Sequence, residues 1–121
     1  MNIVTGIDIV DIERFRKILE ADGESFLRRV FTDSERSIAN PAHLAGIFAA
    51  KEAVKKAFDI TDEIWKEIEV KKLSSGKPKI VLHIDLKLEI ISMDVSISHE
   101  AGIAVASFVA LIDKKVTNEN N

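Results

Sequence analysis

Ala45-Gly46-Ile47-Phe48-Ala49-Ala50-Lys51-Glu52-Ala53-Val54-Lys55-Lys56-Ala57-Phe58 is the stretch around which the rest of the chain is arranged. Read as a helix, it sets Leu44, Phe48, Lys51 or Lys55, and Phe58 along one side. Ala45, Ala49 and Ala53 form a ridge of small side chains beside Glu52 and Lys56. Small residues let another backbone come close, so Glu52 borders a surface suited to tight packing, where a carboxylate needs a cation. Lys56, one turn on and in the favourable Glu-before-Lys order, is the simplest partner, in a pair worth only about 0.2–0.5 kcal/mol.

Working outward, Asn40-Pro41 supplies an N-cap followed by proline at the first helical position, and the helix is expected to end near Phe58 or Asp59. Residues 2–10 alternate, with Ile3, Ile7 and Ile9 on one face and Val4, Gly6, Asp8 and Val10 on the other, as in a strand. Aspartate is disfavoured inside strands, which singles out Asp8, and Gly6 two residues earlier permits a ligand or a backbone to approach. Asp8 reads equally as a strand-end residue accepting backbone hydrogen bonds. Asp11 caps a helix with the stripe Ile12, Phe15, Ile18 and Leu19, ending near Gly23. A second helical piece covers Ser25 to Val30, and Thr32-Asp33-Ser34-Glu35 has the pattern of a capping box. Arg14, Arg16, Lys17, Arg28 and Arg29 fall on exposed positions, either a solvated face or, if clustered, a surface for an acidic partner.

After the long helix, Thr61-Asp62-Glu63 restarts a helical turn that buries Ile64 and Trp65. Alternation returns over 68–73, Ser74-Ser75-Gly76-Lys77-Pro78 makes a turn, and 80–84 is the returning strand. Residues 85–92 fit either a short helix or a strand. In Asp94-Val95-Ser96-Ile97-Ser98-His99 the serines share one face and His99 lies on the other; past the turn at 100–102, the apolar run 103–112 reads as a strand buried on both faces. The hydroxyls and the imidazole near that turn suit either phosphate contact or ordinary satisfied polar roles.

The fold class expected is α+β: one domain over residues 1–115, with a long helix packed on an antiparallel sheet, and a polar, disordered tail over 116–121. A length of 121 residues suits one core, and 46% hydrophobic with 31% charged residues fits a soluble globular chain. No run is long enough to span a bilayer, and no basic leader precedes an apolar segment, so neither membrane nor export is expected. With no cysteine, disulfides and thiolate metal sites are excluded and a cytoplasmic location is the simplest expectation. A net charge of −3 argues against general nucleic-acid binding.

Taken together, Gly6-Ile7-Asp8-Ile9-Val10-Asp11-Ile12 with Arg14, Arg29-Val30-Phe31-Thr32 with Glu35, Phe48-Ala49-Ala50-Lys51-Glu52-Ala53 with Lys56-Ala57-Phe58, Gly76-Lys77-Pro78 and Ser96-Ile97-Ser98-His99 resemble the holo-[acyl-carrier-protein] synthase family, the small bacterial 4′-phosphopantetheinyl transferases. The likeness covers residues 2 to about 112. It implies transfer of phosphopantetheine from coenzyme A to a serine of apo acyl carrier protein, with release of adenosine 3′,5′-bisphosphate, in support of fatty acid biosynthesis. It further implies Asp8 and Glu52 as Mg²⁺ ligands, with Lys56 completing the catalytic set beside the diphosphate. Lys51, Lys56, Lys77, Ser98 and His99 are then expected around coenzyme A, and Arg14, Arg28 and Arg29 against the acidic carrier protein. A homotrimer with active sites between subunits is implied as well. Ile47 departs from a common arginine, and Asp59 from a common glycine. A non-catalytic module that docks a carrier protein or nucleotide is the competing reading, as is a related transferase serving other carrier domains.

Overall fold

Strand alternation at the start of the chain and in its last third produces one antiparallel sheet. In the computed structural model, which describes residues 1–38 and 40–114, β1 (Asn2–Asp11) pairs with β5 (Ile103–Lys114), and β5 pairs on its other side with β4 (Leu88–Glu100). Residues opposite one another in the register share a face: Asp8 lies against Ala106, which lies against Ile97, and Val10 against Ala104 and then His99. The inner face therefore carries Val4, Gly6, Asp8 and Val10 of β1, the alanines and Phe108 of β5, and Val95, Ile97 and His99 of β4. Across it lies α3 (Pro41–Ala57), capped as expected by the Asn40 carboxamide, which accepts from the Ala42 amide at 2.9 Å.

Small residues fix how near this helix comes. Ala45, Ala49 and Ala53 are fully buried, and a Cβ placed on Gly6 would sit 1.8 Å from the carbonyl oxygen of Ala53. Only glycine fits there, because helix backbone occupies the space a side chain would need. Gly46 serves the other end of the contact: a Cβ there would meet Ile97 at 2.9 Å and the His99 ring at 3.2 Å. The ridge of alanines thus receives β1, and Asp8 is carried to the flank of α3.

The outer face of the sheet differs from expectation. Ala104, Ala106, Phe108, Ala110 and Ile112 of β5 are buried under α3, but Val109 on the opposite face is 42% exposed. Burial on both faces of β5 is therefore corrected to burial on one within a single chain. Ile3, Ile7 and Ile9 of β1 project to the same outer side and are 70%, 62% and 66% exposed.

Between β1 and α3, α1 (Ile12–Val30) joins the two expected helical pieces end to end, kinked at Gly23, whose φ of 42° is unfavourable for residues with a side chain. Phe15, Phe26 and Phe31 form an edge-to-face cluster that Phe48 of α3 joins. Ile18, expected in the buried stripe, is 40% exposed. α2 (Asp33–Arg36) opens with the anticipated capping box between Thr32 and Glu35. The helical turn expected at 61–63 forms instead as a short 3₁₀ turn over Trp65–Glu67. β2 (Ile68–Lys72) and β3 (Pro78–Leu82) make a separate hairpin, and the ambiguous stretch 85–92 becomes extended from Leu88 onward. The tail expected over 116–121 lies outside the described residues.

Candidate active site

Lys56 is the hinge of the candidate site. Its ammonium lies 2.9 Å from Oδ1 of Asp8 and donates to the carbonyl of Ile7 at 3.0 Å, so helix and strand are tied at the point where Gly6 lets them touch. Glu52, one turn earlier, has its Cβ about 5–6 Å from that of Lys56. The expected Glu52–Lys56 pair nonetheless does not form. Oε1 of Glu52 accepts a hydrogen bond from the indole Nε1 of Trp65 at 2.7 Å, while Lys56 turns to β1, where the sheet holds two acceptors in fixed positions. Among the described residues, Oδ2 of Asp8 and Oε2 of Glu52 accept no hydrogen bond.

Asp8, paired with Lys56, and Glu52, one helical turn before Lys56, each keep an unused carboxylate oxygen, the donor type that a hard divalent cation takes. Among the described residues no group of three or more His, Cys, Asp or Glu side chains gathers at one point, so an all-protein metal cage is not built here. Mg²⁺ requires none, since it binds through one or two carboxylates and completes its shell with water and substrate phosphate. The residues present fit that ion.

On the other side of α3 lies a cavity of about 480 Å³ lined by His43, Ile47, Ile97 and His99, with Lys71 and Lys72 of β2, Gly76 of the hairpin turn and Pro78 of β3. Burial, then the charges of Lys72 and His99, hold the His43 imidazole below its usual pKa. Glu52 and Lys56 follow His43 and Ile47 by nine residues each, about two and a half helical turns, and so project from opposite flanks. Within one chain the carboxylates and this basic, largely apolar cavity are separated by the thickness of the helix.

The expected coenzyme A residues scatter over these surfaces. His99 lines the cavity, but Ser98 alternates to the outer face and is exposed, so the two do not meet on one surface. Lys77 pairs with Asp94 at 2.9 Å and lines a smaller neighbouring cavity of about 310 Å³. That ion pair, with the Val95 amide, holds the Asp94 carboxyl below its ordinary pKa. Lys51 requires a correction, because its side chain is wholly buried. Its ammonium meets Oε1 of Glu35 at 2.6 Å and donates to the carbonyls of Val30 at 2.8 Å and Trp65 at 2.9 Å, which occupies all its protons. Burial holds its pKa below the usual lysine value, against the pull of Glu35. Lys51 is a core cation, unable to reach a ligand at the surface.

Sequence reasoning missed this buried network. Glu35 also accepts from the amides of Thr32 at 2.8 Å and Val70 at 2.7 Å, and neighbouring Glu69 accepts from His83, Ser34 and Thr32. The available signal was a glutamate between Ile68 and Val70 in a strand. Of the arginines, Arg28 is paired with Glu24 at 3.2 Å, and Arg29 lies 3.9 Å from Asp22 and over the Phe26 ring. Arg16 is held by Glu13 and Glu20. Arg14 and Lys17, both exposed and one turn apart, form no ion pair among the described residues.

Residues 5–106 of the chain match the family model of the 4′-phosphopantetheinyl transferase superfamily. The chain belongs to this superfamily. It is 44% identical over 117 residues to the holo-[acyl-carrier-protein] synthase of Alkaliphilus metalliredigens, covering 87% of this chain and 95% of that protein. With the same enzyme of Caldicellulosiruptor saccharolyticus it shares 42% identity, covering 87% and 93% respectively. The crystal structure of Helicobacter pylori holo-[acyl-carrier-protein] synthase in complex with coenzyme A superimposes with a TM-score of 0.80 at 33% identity, over 88% of this chain and 99% of that one.

Proposed function

We propose that this chain is a holo-[acyl-carrier-protein] synthase, which moves the 4′-phosphopantetheine group of coenzyme A onto a serine of apo acyl carrier protein and so supports fatty acid biosynthesis in the cytoplasm. The observation that carries the reading is the Asp8–Lys56 pair where β1 meets α3, with Glu52 one turn away on the same helix, in a chain so similar to enzymes of that name. In the reaction the serine oxygen forms a bond to the phosphorus that bears pantetheine. The bond from that phosphorus to the bridging diphosphate oxygen breaks, and adenosine 3′,5′-bisphosphate leaves. The serine proton passes to water beside Glu52 or to the Glu52 carboxylate itself.

Asp8 and Glu52 would hold Mg²⁺, which when bound neutralises diphosphate charge and polarises the phosphorus under attack. Lys56 keeps Asp8 in place and offers a fixed cation beside the diphosphate. His99 and Lys77 are assigned to the nucleotide end. Ser98, exposed on the outer face, would reach coenzyme A only in a site built between subunits. Arg14 meets the acidic carrier protein, with Arg28 and Arg29 contributing less because Glu24 and Asp22 already offset them.

A homotrimer with sites between subunits is supported by two features. The cavity and the carboxylates lie on opposite flanks of α3, so one chain's cavity can face another's carboxylates; and Ile3, Ile7 and Ile9 form an exposed apolar row suited to burial between copies.

The test is incubation with coenzyme A, Mg²⁺ and apo acyl carrier protein, followed by intact mass measurement of the carrier. Addition of one phosphopantetheine, lost on chelation of the metal, is expected. An unmodified carrier, with several carriers tried, would leave a docking module as the better account.

A further inference from the structure

Trp65 lies outside every motif that pointed to the activity, yet α3 holds it at several points. Its indole N–H donates to Oε1 of Glu52 at 2.7 Å, its carbonyl accepts from the Lys51 ammonium at 2.9 Å, and the Lys55 ammonium lies 4.3 Å from its ring centroid. Phe48 packs beside it, with ring centroids 6.3 Å apart. A cation over the ring draws electron density from the indole and strengthens the N–H as a donor. The residue is thus fixed through both backbone and ring, with its one donor aimed at one oxygen of one carboxylate.

We infer that Trp65 is a positioning residue for Glu52, holding Oε1 so that Oε2 stays available to a divalent cation and keeping the carboxylate from collapsing onto Lys56. This rests on the metal-ligand role proposed for Glu52. The spacing of Glu52 and Lys56 favours a mutual ion pair, and such a pair would withdraw both groups: Glu52 from the cation and Lys56 from Asp8. The bond from Trp65 resolves that competition. Glu52 is committed to a neutral donor that leaves its charge uncompensated, and Lys56 is left to Asp8 and the Ile7 carbonyl. Outer partners of this kind orient metal ligands, and their loss typically costs about 10–100-fold in metal affinity.

The variant Trp65→Phe keeps an aromatic ring against Phe48 and under Lys55 but has no N–H. Mn²⁺ serves as probe in the presence of coenzyme A, with free ion followed by electron paramagnetic resonance. Trp65→Phe should bind Mn²⁺ about tenfold more weakly than the unaltered protein, and should need more Mg²⁺ for half-maximal transfer with a smaller change in rate at saturating Mg²⁺. Equal Mn²⁺ affinity in the two proteins, with binding lost in Asp8→Asn, would overturn the positioning role and leave the metal reading standing. Absence of Mn²⁺ binding in the unaltered protein would overturn the metal reading and this inference with it. Because Trp65 is the chain's only tryptophan, a ¹⁵N-labelled sample has a single indole N–H resonance, which reports on the contact without any metal. Glu52→Gln should move it upfield as the charged acceptor is lost. A resonance that stays in place would refute the contact itself, whether or not Trp65→Phe folds.

Discussion

Adjacent residues of α3, Lys51 and Glu52, head two clusters of the same chemical type and opposite character. In the Glu35–Lys51 pair both side chains are wholly buried, each lysine proton has an acceptor, and the carboxylate is further bonded to the amides of Thr32 and Val70. Around Glu52 the set is open: Lys56, one turn on, pairs with Asp8 with its side chain 55% exposed, and both carboxylates retain an oxygen without a partner among the described residues. A charge pair whose bonding capacity is used up can only hold the fold together. One with capacity left over, at an accessible surface, can take a ligand.

The largest effect should come from opening the saturated pair. Lys51→Met leaves the Glu35 carboxylate buried without its cation, at a cost of about 3–5 kcal/mol, to be read from denaturant unfolding. Restoring charge balance with Glu35→Leu in the same chain should not recover that loss, because the Thr32 and Val70 amides are then orphaned. Stability close to that of the unaltered protein in Lys51→Met would remove the distinction between the clusters. The mirror-image outcome is expected next. Asp8→Asn should change stability by no more than about 1 kcal/mol, since its partner Lys56 is solvated, while phosphopantetheine transfer falls at least about a hundredfold. A transfer rate within a few-fold of normal would deny the open cluster its chemistry.

Sequence alone singled out Asp8 and the close approach of β1 to α3 but not the closed pair, for a physical reason. Asp8 stood out as a carboxylate inside an alternating strand next to Gly6, and the alanine ridge foretold the close approach that Gly6 and Ala53 make. Lys51 sat in the same block of sequence as Glu52, and periodicity could not tell a cation facing solvent from one facing the core. What decides that is Glu35, 16 residues earlier, and the carbonyls of Val30 and Trp65, whose convergence is tertiary. The Trp65–Glu52 contact was illegible for the same reason: helical spacing proposed Lys56 as the partner of Glu52, and a residue from the following turn displaced it. The exposed outer face of β5 escaped notice because apolar composition does not say which face of a strand its own chain covers.

A smaller effect separates charges that are free from charges already spent. Arg14 makes no ion pair among the described residues, whereas Arg28 is engaged with Glu24. Arg14→Glu should raise KM for the carrier protein by about tenfold and leave KM for coenzyme A unchanged, with Arg28→Glu weaker on the same measurement. Equal rises for both substrates would show that Arg14 acts on the site as a whole.

Glu69 lies between the two extremes and should give the smallest effect. Its carboxylate is nearly buried and accepts from Nε2 of His83 at 2.8 Å, the Ser34 hydroxyl at 2.9 Å and the Thr32 hydroxyl at 3.3 Å, but His83 is half exposed. The His83 bond, foremost, and the two hydroxyls hold the Glu69 carboxyl below its ordinary value of 4.5, against the opposing effect of burial. A carboxyl depressed in the folded state binds fewer protons there than in the unfolded chain. Its stabilising contribution is therefore complete above the unfolded value and is lost as pH falls through the lower folded value. Unfolding free energy measured from about pH 6 down to about pH 3 should fall less steeply in Glu69→Gln than in the unaltered protein. His83→Ala should flatten the same limb by a smaller amount, because the Ser34 and Thr32 hydroxyls still favour the charged form. An unchanged slope in Glu69→Gln would assign the acid limb to other carboxylates and place Glu69 with the groups whose contacts have little consequence for the fold.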